Sequence, residues 1–233
     1  MPPPGIMTAM RSEQSPFRAS WWGIGLARAG VDVRPDVGTY GRYPFGDLPA
    51  LPFELDGSYG WLRRQVAHDE WAIDDDGEGD LSALLAACAT AGLALPAEFV
   101  TFLRSPELTS RVRSSTGCFL DVAGAPMPSP TGPCWLIRFL ADQQGCVYWY
   151  LYLTRDGADH AVASAVRFYD PQDSGPVDPQ TETPDDVEFC AESFEAFMCR
   201  YWMENEIFFA AVDGTPLPEG AAEYVERYGR RAR

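Results

Sequence analysis

Carboxylates supply the main catalytic chemistry open to this chain. Glu204 stands two positions from Glu206 in an apolar stretch, and Asp121 and Asp142 flank a strand-like run. Paired carboxylates divide general-acid and general-base roles when their surroundings push their pKa values apart. A carboxylate-dependent hydrolase is therefore one function class that the residues allow. Other chemistries are less well served. The histidines are His68 and His160, neither at ligand spacing from a cysteine, so no metal site is expected. His160 follows Asp159 in a polar stretch and reads as solvated. The acidic run 74–79 puts Asp74, Asp76 and Glu78 where an EF-hand loop begins, but Leu85 occupies the final position that requires a bidentate Glu. The stretch WWGIGLARAG offers Gly23 and Gly25, yet Arg28 stands where a dinucleotide fingerprint needs its third glycine, and no βαβ pattern follows. A chain without lysine supplies neither a P-loop lysine nor a Schiff base. No catalytic residue, metal ligand or cofactor is assigned.

Contact chemistry is better represented. Residues 137–153 read IRFLADQQGCVYWYLYL, two apolar runs around the kernel Asp142-Gln143-Gln144-Gly145. The kernel has the length of a four-residue hairpin loop, with Gly145 suited to positive φ. Strand alternation then puts Trp149, Leu151 and Leu153 on one face, and Tyr148, Tyr150 and Tyr152 on the other. The tyrosine face reads either as partly exposed, since tyrosine with its apolar ring and polar hydroxyl is favoured at protein interfaces, or as ordinary core and sheet packing. The expected partner-binding residues are Asp142, Gln143, Gln144, Tyr148, Tyr150, Glu204 and Glu206.

The elements that position these residues follow from periodicity. Residues 1–20 are proline-rich and polar and read as a disordered tail. Residues 21–79 are broken by Gly and Pro and read as an irregular extension packed on the core, with a short helix over 58–67 presenting Trp61, Leu62 and Val66. Asp80 suits the cap of a helix bearing Leu81, Leu84, Leu85 and Cys88 on one face, closed by Gly92. Pro96 suits the first position of a second helix that carries Phe99, Phe102 and Leu103. The period then falls to two. Strands are predicted around 118–122, 135–141, 146–153, 161–169 and 187–190, with Pro-rich loops at 126–133 and 170–186. Ser193 caps a last helix whose apolar stripe is Phe194, Phe197, Met198, Tyr201 and Trp202. Residues 212–233 read as a tail with a weak helix. The class is α+β, a mainly antiparallel mixed sheet of about four to six strands flanked by helices, over residues 80–211.

The whole chain of 233 residues suits a single domain with an appendage. Acidic residues number 34 against 18 basic ones, all arginine, for a formal charge of −16. Such a surface repels phosphates and anionic membranes and attracts basic partners over a Debye length of about 8 Å. Neither nucleic acid nor membrane is an expected partner; a basic protein is. No apolar run reaches the length of a membrane span, and the N-terminus lacks a signal-peptide core, so a cytoplasmic location is expected. The six cysteines form no CxxC pair and read as free and buried.

Three segments, in this order, carry a resemblance. The helix Leu95-Pro96-Ala97-Glu98-Phe99-Val100-Thr101-Phe102-Leu103, the meander with WYLYLTRDG, and the closing helix Ser193-Phe194-Glu195-Ala196-Phe197-Met198 resemble the SUKH superfamily. That fold is shared by many bacterial immunity proteins and a yeast regulator of cell-wall synthesis. The resemblance spans roughly residues 80–210. It implies an α+β fold, no catalytic activity, and binding of another protein, often a toxin domain. A regulatory scaffold for an endogenous partner is the alternative.

Overall fold

The computed structural model describes residues 8–26, 39–73, 81–130, 133–155, 159–170 and 187–229. The acidic run 74–79, the expected cap Asp80, and the loop from residue 171 to 186 lie outside them.

Among the described residues, nine strands build one mixed sheet. They are β1 (Thr8–Ala9), β2 (Arg18–Ile24), β3 (Tyr40–Pro44), β4 (Phe119–Leu120), β5 (Met127–Pro128), β6 (Trp135–Ala141), β7 (Tyr148–Leu153), β8 (Asp159–Ala165) and β9 (Val187–Ala191). The main order is β3-β2-β9-β8-β7-β6-β4, with β1 beside β8 and β5 beside β6. β6 through β9 form an antiparallel meander. β2 joins it in parallel along β9, and β3 pairs antiparallel with β2. Among the described residues, five α-helices complete the α+β fold: α1 (Leu81–Ala91), α2 (Ala97–Leu103), α3 (Pro106–Thr109), α4 (Phe194–Asp213) and α5 (Ala221–Gly229).

The class is as expected and the sheet is larger, because the first third of the chain contributes to it. Residues 8–20, expected as part of a tail, contain β1 and the start of β2. The expected extension supplies the rest of β2 and all of β3. Trp21, buried against Phe197 of α4, anchors this edge. The helix expected over 58–67 is a 3-10 turn at Leu62–Arg64, which buries Trp61 and Leu62 but leaves Val66 exposed. The expected C-terminal tail holds α5, whose Tyr224 is buried. The strand expected over 118–122 is only the pair Phe119–Leu120.

Alternation along β7 divides the interior into two layers. Trp149, Leu151 and Leu153 join the main core with Phe194, Phe197, Met198, Tyr201 and Trp202 of α4. Tyr150 and Tyr152 turn into a second layer with Met10, Phe17, Leu136 and Phe189. Two register shifts refine the pattern. Between Arg138 and Leu140 a bulge lets the consecutive residues Phe139 and Leu140 both enter the main core. Opposite Val162 and Ala163 a second shift does the same for Cys190 and Ala191.

The N-terminus of α4 is closed from two sides. Ser193 Oγ accepts from Ala196 N at 3.1 Å. Glu98 of α2 reaches across, its Oε1 accepting from Phe194 N at 2.7 Å and Glu195 N at 3.2 Å. Both satisfy amides that a helix start leaves unpaired. Glu195 in the first turn is buried and accepts from Gly57 N at 2.6 Å, Tyr59 N at 3.1 Å and Trp61 Nε1 at 3.1 Å, so residues 57–61 are pinned to α4.

Candidate functional site

The kernel is a hairpin turn, and Asp142 is its internal brace. One carboxylate oxygen accepts from Gln144 N and Cys146 N, both at 3.0 Å, while the other accepts from the Tyr40 hydroxyl at 2.6 Å. Gly145 has φ 71°, and a Cβ there would lie 2.9 Å from the Tyr148 hydroxyl. The Tyr40 hydroxyl also lies 2.9 Å from Thr116 Oγ1 and 3.3 Å from Cys118 Sγ. Burial, reinforced by Cys118 and Asp142, pushes the Tyr40 phenol far up, so it remains a donor. Of the expected contact residues at this end, Gln143 and Gln144 are exposed, Tyr148 is half-buried, and Asp142 and Tyr150 are buried. Tyr150 is also saturated: its hydroxyl donates to Arg167 O at 3.0 Å and accepts from Tyr169 N at 2.9 Å. Of the two readings of the tyrosine face, core packing holds: Tyr150 and Tyr152 form a second core layer, and Tyr148 is half-open. Cys146 is exposed and Cys134 half-buried; the other four free cysteines are buried, as expected.

The carboxylate pairs proposed from spacing have separate surroundings. Asp121 clasps Arg138, accepting from Nε at 2.6 Å and Nη2 at 3.0 Å, while Asp142 braces its turn. Glu204 faces inward, accepting from Trp21 Nε1 at 3.0 Å and the Tyr224 hydroxyl at 2.8 Å, which ties α4 to β2 and α5. Residues two apart on a helix point in different directions, and Glu206 points to another place.

That place is a cleft of about 320 Å³ lined by Gln65, Val66 and His68, by Arg113, and by Trp202, Glu206 and Ala210 of α4 with the residues that follow the helix. One wall is the segment 65–73, which runs beside 110–114: His68 N donates to Ser110 O at 2.7 Å, and Ser114 N to Trp71 O at 2.8 Å. The other wall follows α4, where Gly214 takes φ 67° and Thr215 N bonds back to Ala210 O at 3.0 Å. Glu206 lies between the walls. Arg113 grips it with both arms, Nε to Oε1 at 2.8 Å and Nη2 to Oε2 at 2.9 Å. His68 Nε2 stands 3.3 Å from Oε1. Burial opposes ionisation of Glu206, but the hydrogen bonds and charges of His68 and Arg113 outweigh it and hold the carboxyl below its usual range. The Arg113 guanidinium also covers the Phe209 ring at 3.9 Å. A carboxylate held in this way is a weak proton acceptor, so the cluster suits a rigid, charge-balanced floor better than base catalysis. Trp202 also lines the cleft, and its buried Nε1 has no hydrogen-bond partner among the described residues.

The rims are apolar and acidic. Val66 is 74% exposed and Trp71 60% exposed on the first wall; Val212 and Leu217 are 48% and 42% exposed on the second. Asp69 and Glu70 precede Trp71, and Asp213 and Glu219 are chain neighbours of the second wall, all four exposed. Trp71 has φ 64°, in the left-handed region that disfavours bulky side chains. Of the seven expected contact residues, only Glu206 belongs to this cleft. His68, Arg113 and Trp71 were missed. A usable signal existed for Trp71: a bulky aromatic set in an acid-rich stretch without periodicity has no core face to join. Comparison with protein-family models, with curated proteins and with solved structures finds no match for this chain.

Proposed function

We propose that this chain is a non-catalytic module of SUKH type that binds a basic protein, and that it serves as an immunity protein against a nuclease-type toxin. The observation that carries the reading is the acid excess, 34 residues against 18. The fold leaves that excess intact, because each arginine it pairs offsets only the acid it meets. Arg138 lies between Asp121 and Asp170, Arg113 is clasped by Glu206, and Arg63 and Arg111 share Glu107. Arg42 approaches Glu188, and the buried Arg200 donates to Pro49 O at 3.1 Å and the Tyr224 hydroxyl at 3.3 Å. An acidic face of this kind complements the basic surface by which a nuclease engages phosphates, and it speeds association at low salt.

The test is affinity capture. The immobilised protein is exposed to lysate at low salt and eluted in salt steps. A basic protein that elutes sharply, with a toxic or nucleolytic activity that the bait suppresses, is the expected result. A housekeeping partner without such activity would replace the immunity role with a regulatory scaffold. An empty eluate would contradict both and leave the carboxylate hydrolase to be tested by substrate screening.

A further inference from the structure

We infer that the cleft between the segment 65–73 and the end of α4 is where the basic partner docks, and that it receives an extended segment with one apolar side chain between arginines or lysines. This inference rests on the proposed function and names the site and the chemistry that would perform it.

Several independent features converge here. Of the six large apolar side chains exposed among the described residues, Val66 lines the cleft, Trp71 follows on the same segment, and Leu217 sits between the lining residues Pro216 and Pro218. Large aromatics at the centre of a contact, ringed by polar residues, carry most of the binding energy in protein interfaces. Trp71 is held outward at a backbone angle that bulky residues avoid, and strain of this kind collects at functional positions. Buried Tyr59, φ 58°, is the other non-glycine residue in that region among those described. Its conformation is held by bonds to Glu195 and Glu98. Trp71 is held by its backbone alone, through Ser114 N to its carbonyl and the bridge between Ala72 and Arg113, while its side chain stays exposed.

Charge selects the occupant. The floor gives a cation little reason to enter, because Glu206 is already neutralised by Arg113 and approached by His68. The rims are different: Asp69 and Glu70 on one side, Asp213 and Glu219 on the other, are exposed. An apolar side chain therefore fits the interior, against Trp202, Ala210, Pro216 and Pro218, while flanking cations meet the rims. A guanidinium over the exposed Trp71 indole gains cation–π attraction.

The probe is the labelled peptide Gly-Arg-Arg-Leu-Arg-Arg-Gly, with a second peptide in which glycine replaces the leucine, followed by fluorescence anisotropy at about 50 mM salt. The intact chain is compared with Trp71→Gly, with Asp69→Asn/Glu70→Gln, and with Glu13→Gln/Glu223→Gln, which removes the same charge elsewhere. Thermal melts establish that each variant is folded. Loss of the peptide's leucine and Trp71→Gly are each expected to weaken binding about tenfold. The Asp69/Glu70 variant should lose several times more affinity than the Glu13/Glu223 variant. Equal binding by all variants would overturn the site assignment while leaving the basic-partner reading intact. No binding of either peptide, with no binding of a folded basic protein, would overturn both. Self-association abolished by Trp71→Gly would instead assign the cleft to a second copy of the chain.

Discussion

Phe194 is the residue on which the main core turns. Its ring lies edge-on to Phe99 and Phe139, each at 4.9 Å, and to Phe102 at 5.5 Å, joining α2, β6 and α4. Phe194→Ala should cost about 3–5 kcal/mol in a chemical denaturation curve, the range for a fully buried aromatic. Asp142 tells a different story about a polar residue. Its spacing suggested a contact, but its carboxylate serves the turn and Tyr40. Asp142→Ala removes the acceptor from a buried phenol and two amides, and should destabilise the fold by about 2–3 kcal/mol. Trp71 is the converse case. Glycine holds the left-handed conformation without the Cβ clash, which relieves about 1–2 kcal/mol of strain, but it adds chain entropy and removes the indole's partial packing. The melting temperature of Trp71→Gly should therefore stay within a few degrees of the parent. A large loss would mean that the indole is structural.

At the scale of elements, α4 shows how much the sequence disclosed. Its stripe, its cap and its end were legible, because periodicity and capping are local properties of the chain. Burial of Glu195, Arg200, Glu204 and Asn205 on its other faces was not. These residues are polar and look solvent-facing, yet residues 49–61 and α5 close over them, and the partners come from far along the chain. Likewise the meander was legible from alternation, whereas β2, with a glycine near its end and a Pro-rich surround, looked irregular until β9 and β3 gave its backbone partners. The cleft required His68, Arg113 and Glu206 to meet across long sequence separations, which spacing alone does not encode. Its acid response is a test of that geometry. The Glu206 carboxyl titrates below the ordinary value of 4.5, so its ion pairs stabilise the fold fully above that pH and lose their effect as pH falls through the lowered native value. Glu206→Gln should therefore be less stable than the parent at neutral pH, with the gap closing in acid, as thermal melts across pH would record. Glu195 works with the opposite sign. Burial raises its carboxyl, despite the bonds from Gly57, Trp61 and Tyr59, so its contribution is greatest below 4.5 and declines as pH rises through the native value.

The molecule as a whole is an acidic sheet-and-helix body with no helix among the described residues long and apolar enough to cross a membrane. Among its described arginines Arg138 and Arg200 are buried, and the exposed Val66 lines a cleft whose chain neighbours include exposed Trp71, Leu217 and four exposed acids. Long-range attraction and short-range apolar contact would then act in sequence, the first setting the approach rate and the second the lifetime of the complex. The most direct measurement is the dissociation constant for a captured basic partner as a function of salt. The expected result is a steep loss, at least tenfold between about 50 and about 200 mM salt, carried mainly by the association rate. An affinity that does not change across that range would contradict the central claim that this surface recognises its partner by charge.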